Sequence, residues 1–309
     1  MLFRSNVVYK YKLNDERVQT KIWKESKIPD IKEKDFDVEQ FVIKSYSTFL
    51  FFISKRRSTI YPAPCIISDY GGFLENNTRR FDPVNLIAVH DYGFIHVGVV
   101  IRGGGKFGES RQTEDREENN TRSMKDLIFA AETMVRYGYA KRNAIVLRGT
   151  SHGGMVALAC CNKRPDLFAA VIAECPVTDM LNFHRVTVGK ANTSEFLGPS
   201  DKSNLRGLLQ YSPLQNINRN IGTRNTTEFP STLVLTDTHD ERVPPWHSYK
   251  FIAELQLIHG QQNYQKSPLL VYTTAKGGHF NDLPFENKVE RGLIILKFLK
   301  VALNKNCTA

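Results

Sequence analysis

A chain of 309 residues with 41% hydrophobic, 11% aromatic and 24% charged residues has the composition of a globular protein and is too apolar for a disordered one. At roughly 150 residues per domain, the length fits one large α/β domain or two smaller ones. It excludes a large α/β domain joined to a seven-bladed β-propeller, whose blades of about 40–45 residues would use nearly the whole chain. The formal net charge of +10 comes from 42 Lys and Arg against 32 Asp and Glu. Basic runs such as Lys55-Arg56-Arg57 are short and the 114–118 stretch is mostly acidic. There are no RNA-recognition aromatics, zinc-finger spacings or basic-zipper heptads, so the charge reads as a basic surface and no nucleic-acid partner is expected.

In chain order, Met1-Leu2-Phe3-Arg4-Ser5-Asn6 lacks the apolar core of a signal peptide. Val7–Leu13 and Val18–Trp23 alternate apolar and polar residues around Asn14-Asp15-Glu16, which predicts a β-hairpin. Residues 24–40 are charged, contain Pro29 and read as a connection; a second strand pair, Phe41–Tyr46 and Thr48–Ser54, follows. From residue 64 the pattern changes to short Val- and Ile-rich runs alternating with helical periodicity. The predicted strands are Cys65–Ser68, Ile95–Ile101, Ala144–Arg148, Ala170–Glu174, Thr232–Thr236 and Leu269–Thr273. The predicted helices are Pro83–His90, Arg122–Tyr137, Gly153–Asn162, Trp246–Ile258 and Asn287–Val301. Such β-α alternation predicts an α/β fold, a mostly parallel central sheet with helices on both faces. Active groups are then expected on loops leaving the C-terminal ends of the strands.

The five cysteines (Cys65, Cys160, Cys161, Cys175, Cys307) cannot all pair and form no C-x-x-C. Four lie in apolar stretches, as reduced, buried thiols do. No metal or cofactor is expected. No apolar run approaches the ~18 residues that span a bilayer, so no membrane partner is expected either. The expected setting is cytoplasmic, with sequons such as Asn76-Asn77-Thr78 unmodified.

The loop after Ala144–Arg148 reads Gly149-Thr150-Ser151-His152-Gly153-Gly154. G-x-S-x-G between a strand and a helix suits a nucleophilic serine on a sharp, strained turn whose close-packed backbone needs small neighbours. The pattern alone is common, and the strand-turn-helix setting gives it weight. A serine nucleophile needs a base, and the base needs an orienting carboxylate, in this fold in the order Ser, acid, His. Asp240 follows the strand Thr232–Thr236, and His279 follows Leu269–Thr273 within Gly277-Gly278-His279. Taken singly, Asp240 also fits an N-cap for the helix near Trp246, and His279 a surface loop; the joint order favours a triad.

With these residues in view, the sequence resembles the catalytic domain of the prolyl oligopeptidase family, serine peptidases of the α/β-hydrolase fold, from about residue 40 to 302. The resemblance rests on Asp69-Tyr70-Gly71-Gly72-Phe73, Ile101-Arg102-Gly103-Gly104-Gly105, Arg164-Pro165-Asp166-Leu167-Phe168, Asp179-Met180-Leu181, Tyr211-Ser212-Pro213-Leu214 and His239-Asp240-Glu241-Arg242-Val243-Pro244. It implies Ser151 as nucleophile, Asp240 as orienting acid and His279 as base. The oxyanion hole would comprise the Tyr70 hydroxyl and the His152 backbone N–H; the family has Asn at the His152 position, and a backbone donor survives that change. Arg242 would bind a substrate carbonyl, with a structural ion pair as the alternative on sequence alone. Phe73, Val177, Phe196 and Val243 would line the pocket for the residue before the cut. Asn192, in Lys190-Ala191-Asn192-Thr193-Ser194, stands where the family stacks a tryptophan on proline. Losing that ring removes about 0.5–1.5 kcal/mol beyond area burial, so a weak or absent proline preference is expected.

The expected organisation is an N-terminal β remnant and linker over 1–40 and an α/β-hydrolase domain over 41–309. The expected function is peptide hydrolysis through an acyl-enzyme. An esterase or a catalytically silent binding module are the alternatives. Because the length leaves no room for the family's propeller, an open active site is expected. Exposed strand pairs at 7–24 and 41–54 are expected too, and their free edges would favour self-association.

Overall fold

The computed structural model describes residues 7–10, 21–25, 28, 30–44, 48–68, 70–73, 81–104, 121–217, 228–275, 277–279 and 283–304. Asp69, Gly105, Lys276, Cys307, the 114–118 stretch and parts of the predicted hairpin (11–13 and 18–20) lie outside them. β1 (Val7–Lys10) and β2 (Lys21–Glu25) pair antiparallel as a sheet of their own. The remaining strands form one sheet of eight: β3 (Phe36–Lys44), β4 (Thr48–Arg56), β5 (Cys65–Ser68), β6 (Ile95–Val100), β7 (Ile145–Thr150), β8 (Ala170–Glu174), β9 (Ser231–Asp237) and β10 (Leu269–Thr274), in the order β10-β9-β8-β7-β5-β6-β4-β3. From β6 to β10 every pairing is parallel; β3 and β4 add antiparallel at one end.

Alternation within the strands feeds two cores. Cys65, Ile67, Val97, Val99, Ile145 and Leu147 point to one face. There they meet α2 (Thr121–Arg136), α3 (His152–Lys163) and α6 (Trp246–Leu255). Ile66, Val146, Ile172, Leu233 and Leu235 point to the other, against α1 (Pro83–Asp91) and α7 (Phe285–Asn304). The short α4 (Thr193–Phe196) and α5 (Lys202–Tyr211) sit in the long connection between β8 and β9. The Asp82 carboxylate caps α1, accepting from the backbone N–H groups of Val84 and Asn85 at 2.8 and 3.1 Å, with Pro83 in the first turn. In the described residues no helix is long and apolar enough to cross a membrane.

The pair at 41–54 departs from expectation. It is not an exposed appendage: β4 lies inside the sheet, between β3 and β6. Phe49, Phe51 and Ile53 are fully buried on one face, and Leu50 and Phe52 on the other. The unbroken run Phe49-Leu50-Phe51-Phe52-Ile53 carries apolar side chains to both faces, the mark of a strand covered on both sides. β3 is the outer strand, and it begins at Phe36, within the stretch read as a linker; Phe36 packs with Leu86 and Val89 of α1.

Among the buried histidines of this framework are His96 and His247. His96 on β6 is pushed down to about 4 by burial, partly opposed by Asp82. His247 on α6 is pushed down to about 3, again by burial, and its Nδ1 accepts the backbone N–H groups of Thr178 and Asp179 at 3.2 and 3.1 Å. Both are neutral in the folded state, whereas the unfolded chain takes up protons below about 6.5. Stability should therefore fall as pH drops from about 6.5 towards 4, by up to about 1.4 kcal/mol per pH unit per group. Melting temperatures between pH 7 and 4.5 measure this, and His247→Asn, which keeps an acceptor at the Nδ1 position, should flatten the slope.

Candidate active site

Ser151 occupies the turn between β7 and α3 with φ 57° and ψ −115°, a left-handed conformation that costs a non-glycine residue about 1–3 kcal/mol. The turn is held from both sides. The Ser151 N–H donates to the Glu174 carbonyl at 2.7 Å, and the Ser151 carbonyl accepts from Met155 at 3.1 Å. A Cβ on Gly149 would overlap the Gly153 carbonyl, and one on Gly154 would lie 3.0 Å from the Pro176 Cβ. Small residues flank the serine because its backbone folds back on itself.

β9 and β10 deliver the partners. The Ser151 hydroxyl lies 2.9 Å from His279 Nε2, and His279 Nδ1 lies 2.7 Å from Asp240 Oδ2. Asp240 Oδ1 accepts the backbone N–H groups of Arg242 and Val243 at 2.9 and 2.8 Å. Burial pushes the Asp240 carboxyl up, but the His279 N–H and those two backbone donors outweigh it and hold the carboxyl below its usual range. All three residues are buried, with Ser151 7% exposed. The N-cap position of α6 belongs to Pro245, not Asp240.

Among the residues the resemblance implies, His152 opens α3, and its ring is fully buried. His152 Nδ1 donates to the Tyr70 carbonyl at 2.7 Å, which ties the loop after β5 to the serine turn. The ring stacks on Phe196 at 5.5 Å and meets Phe73 edge-on at 5.9 Å. Phe196 and Phe73 are themselves T-shaped at 5.5 Å. Val177 and Val243 are buried in the same core cluster, so the four expected pocket residues share one apolar region. Asn192 precedes α4 and is half-buried. Arg242 is exposed, and its carbonyl accepts the Thr187 hydroxyl at 2.7 Å.

Several supports had no signal in the sequence. Glu195 is buried and accepts the Phe73 N–H at 2.8 Å. Arg102 forms a buried two-pronged pair with Asp126 at 2.6 and 2.9 Å, while the Ser123 hydroxyl lies 3.3 and 3.2 Å from the Gly71 and Arg102 carbonyls. These contacts fix the loops after β5 and β6. Beneath the triad, Arg148 reaches Asp82 and Glu174 at 2.8 and 3.1 Å, and Arg291 reaches Asp237 and Glu174 at 2.9 and 3.3 Å. Cys175, with φ 46°, sets its thiol 3.6 Å from Asp237 Oδ2. Burial pushes that thiol well up, which makes it a poor nucleophile. Each of these partnerships joins residues far apart in the chain, which spacing does not reveal.

The chain is similar to several known proteins. Residues 79–306 match the prolyl oligopeptidase family. A prolyl endopeptidase from Dictyostelium discoideum is 32% identical over 275 residues, covering 87% of this chain and 35% of that protein. Prolyl oligopeptidase A from Galerina marginata is 33% identical over 276 residues, covering 87% and 36%. A solved structure of prolyl oligopeptidase B from Galerina marginata, bound to a 35mer hydrolysis and macrocyclization substrate, matches with a TM-score of 0.86 at 29% identity, covering 96% of this chain and 42% of that one. The chain thus spans about a third of the length of these curated relatives. With the matched region running from before α1 to the end of α7, and the α/β-hydrolase sheet in common, the chain belongs to the prolyl oligopeptidase family.

Proposed function

We propose that this chain is a serine peptidase of the prolyl oligopeptidase type. The observation that carries the reading is the continuous hydrogen-bonded line from Ser151 through His279 to Asp240, at 2.9 and 2.7 Å, starting from a left-handed serine. Ser151 Oγ attacks the scissile carbonyl as its proton passes to His279 Nε2. Asp240, holding the other ring nitrogen, keeps the imidazole in the receptive tautomer and stabilises the imidazolium. The negative charge on the carbonyl oxygen is met by the Tyr70 hydroxyl and the His152 backbone N–H, one such donor being worth about 3–4 kcal/mol. His279 then gives its proton to the leaving amine, and water resolves the acyl-enzyme by the same relay.

Phe73, Val177, Phe196 and Val243 form the apolar wall for the residue before the cut, and Arg242 holds a backbone carbonyl beside it. Asn192 brings no ring face to this wall, so proline is not strongly preferred. The hydrolase unit includes β3, which starts at Phe36, with Ile28 and Ile31 packed against the Phe36 cluster, and β1 and β2 form a separate β segment. A reducing, cytoplasmic setting suits the four buried free thiols Cys65, Cys160, Cys161 and Cys175.

A fluorophosphonate probe tests the nucleophile. Wild-type protein should take up one label and Ser151→Ala none; a folded wild type that stays unlabelled sinks the enzyme reading, and a labelled Ser151→Ala sinks the assignment. A panel of short peptides against short acyl esters tests the bond cleaved, and ester turnover with no peptide turnover would reject the peptidase.

A further inference from the structure

We propose that Cys175, Asp240 and His279 form an inhibitory site for a thiophilic divalent cation of the zinc type, which shuts the triad down reversibly. The proposal rests on the triad reading above only for its consequence, not for the site. One ligand atom from each residue, the Cys175 thiol sulfur, an Asp240 carboxylate oxygen and a His279 ring nitrogen, lies within 4.8 Å of the other two, and all three residues are buried. In a tetrahedral zinc site, with metal–ligand bonds of about 2.0–2.3 Å, such atoms stand about 3.3–3.6 Å apart. Small side-chain rotations therefore close the set around an ion, leaving the fourth position for water. Sulfur, imidazole and a single carboxylate favour zinc, cadmium or cobalt over magnesium or calcium, which take oxygen ligands.

The surroundings favour a cation independently of the three ligands. Arg148 faces Asp82 and Glu174, and Arg291 faces Glu174 and Asp237, three carboxylates against two guanidinium groups; the fourth carboxylate, Asp240, is held by His279, and Arg291 also reaches the Cys175 thiol. Asp237 Oδ1 is buried with no hydrogen-bond partner among the described residues, and its other oxygen is the one the Cys175 thiol approaches. A divalent ion beside this group offsets the excess negative charge. The left-handed backbone at Cys175, just past the end of β8, holds the thiol on the triad side, with its N–H donated to the Leu235 carbonyl at 2.7 Å.

Binding releases the thiol proton to solvent; the imidazole stays neutral, and an ion on Nδ1 leaves the one ring proton on Nε2, facing Ser151. Either nitrogen gives the same result. An ion on Nε2 takes the lone pair that receives the Ser151 proton, and an ion on Nδ1 breaks the hydrogen bond to Asp240. The ion is an inhibitor and takes no part in turnover.

The test uses the full chain, stripped with a chelator and then given Zn2+ or Co2+. Zn2+ should suppress fluorophosphonate labelling and hydrolysis, and chelator should restore both. Co2+ should produce a near-ultraviolet thiolate charge-transfer band. Cys175→Ser should keep basal labelling, lose the Co2+ band and need roughly 10–100-fold more Zn2+ for the same suppression. Cys175→Ala, which adds no polar group, repeats the test should the serine variant fold poorly. Absence of the band in wild type, or equal zinc sensitivity in wild type and both variants, overturns the proposal. The Co2+ band is read without any turnover, so it stands even if the chain hydrolyses nothing.

Discussion

Asp240→Asn should lower kcat about 10⁴-fold while leaving the fold and KM close to wild type. The structure fixes which way the amide must face. Asp240 Oδ1 accepts two backbone N–H groups, from Arg242 and Val243, so the asparagine keeps its carbonyl oxygen there. Its NH2 group then points at His279 Nδ1, where the carboxylate accepted a proton at 2.7 Å. That nitrogen must become the acceptor, and the ring proton moves to Nε2, facing Ser151 with a donor where a base is needed. Steady-state kinetics with circular dichroism check the outcome. A fall of less than about 10-fold in kcat would mean that Asp240 does not set the tautomer.

Gly149→Ala should cost more than about 4 kcal/mol or prevent folding, whereas Gly154→Ala should cost about 1–3 kcal/mol. The two positions lie in the same turn but meet different neighbours. The new methyl at 149 runs into the Gly153 carbonyl, backbone against backbone, and nothing there can rotate away. At 154 it meets the edge of Pro176 at 3.0 Å, where a shift of a few tenths of an ångström suffices. Denaturant melts rank the two variants. A loss at 149 no larger than about 1–3 kcal/mol would show that the turn tolerates a methyl where its backbone crosses itself.

The parallel half of the sheet could be read from the sequence because each strand there is a short apolar run bounded by a helix with its own period. Cys65–Ser68 and Ala170–Glu174 agree with their predicted bounds to the residue. The strand pair at 41–54 is expected to be exposed because the length leaves no room for a propeller, yet β4 lies between β3 and β6. The five-residue apolar run in β4 was the better signal. Ser151, Asp240 and His279 stand out because the fold puts such groups after the ends of β7, β9 and β10, in a fixed order along the chain. The side chain of His152, the acid at Glu195 and the charge group around Arg291 do not. Their partners lie 54 to 122 residues away in the chain for the Asp237, Tyr70 and Phe73 contacts, and nothing local announces a contact of that range.

Ser151 and His279 are separated by 128 residues, and the whole of β8, β9 and β10 comes between them. In the proposed triad, the nucleophile is synthesised long before its base. A nascent chain carrying Ser151 alone has an ordinary hydroxyl, no stronger than any other serine. Reactivity arrives only when the last strand has joined the sheet and the loop beyond it has closed onto Asp240. Under the proposed assignment, the order of the triad along the chain leaves the serine without its base until the sheet is complete. It also makes the appearance of probe labelling during refolding a clock for the final parallel strand pairing.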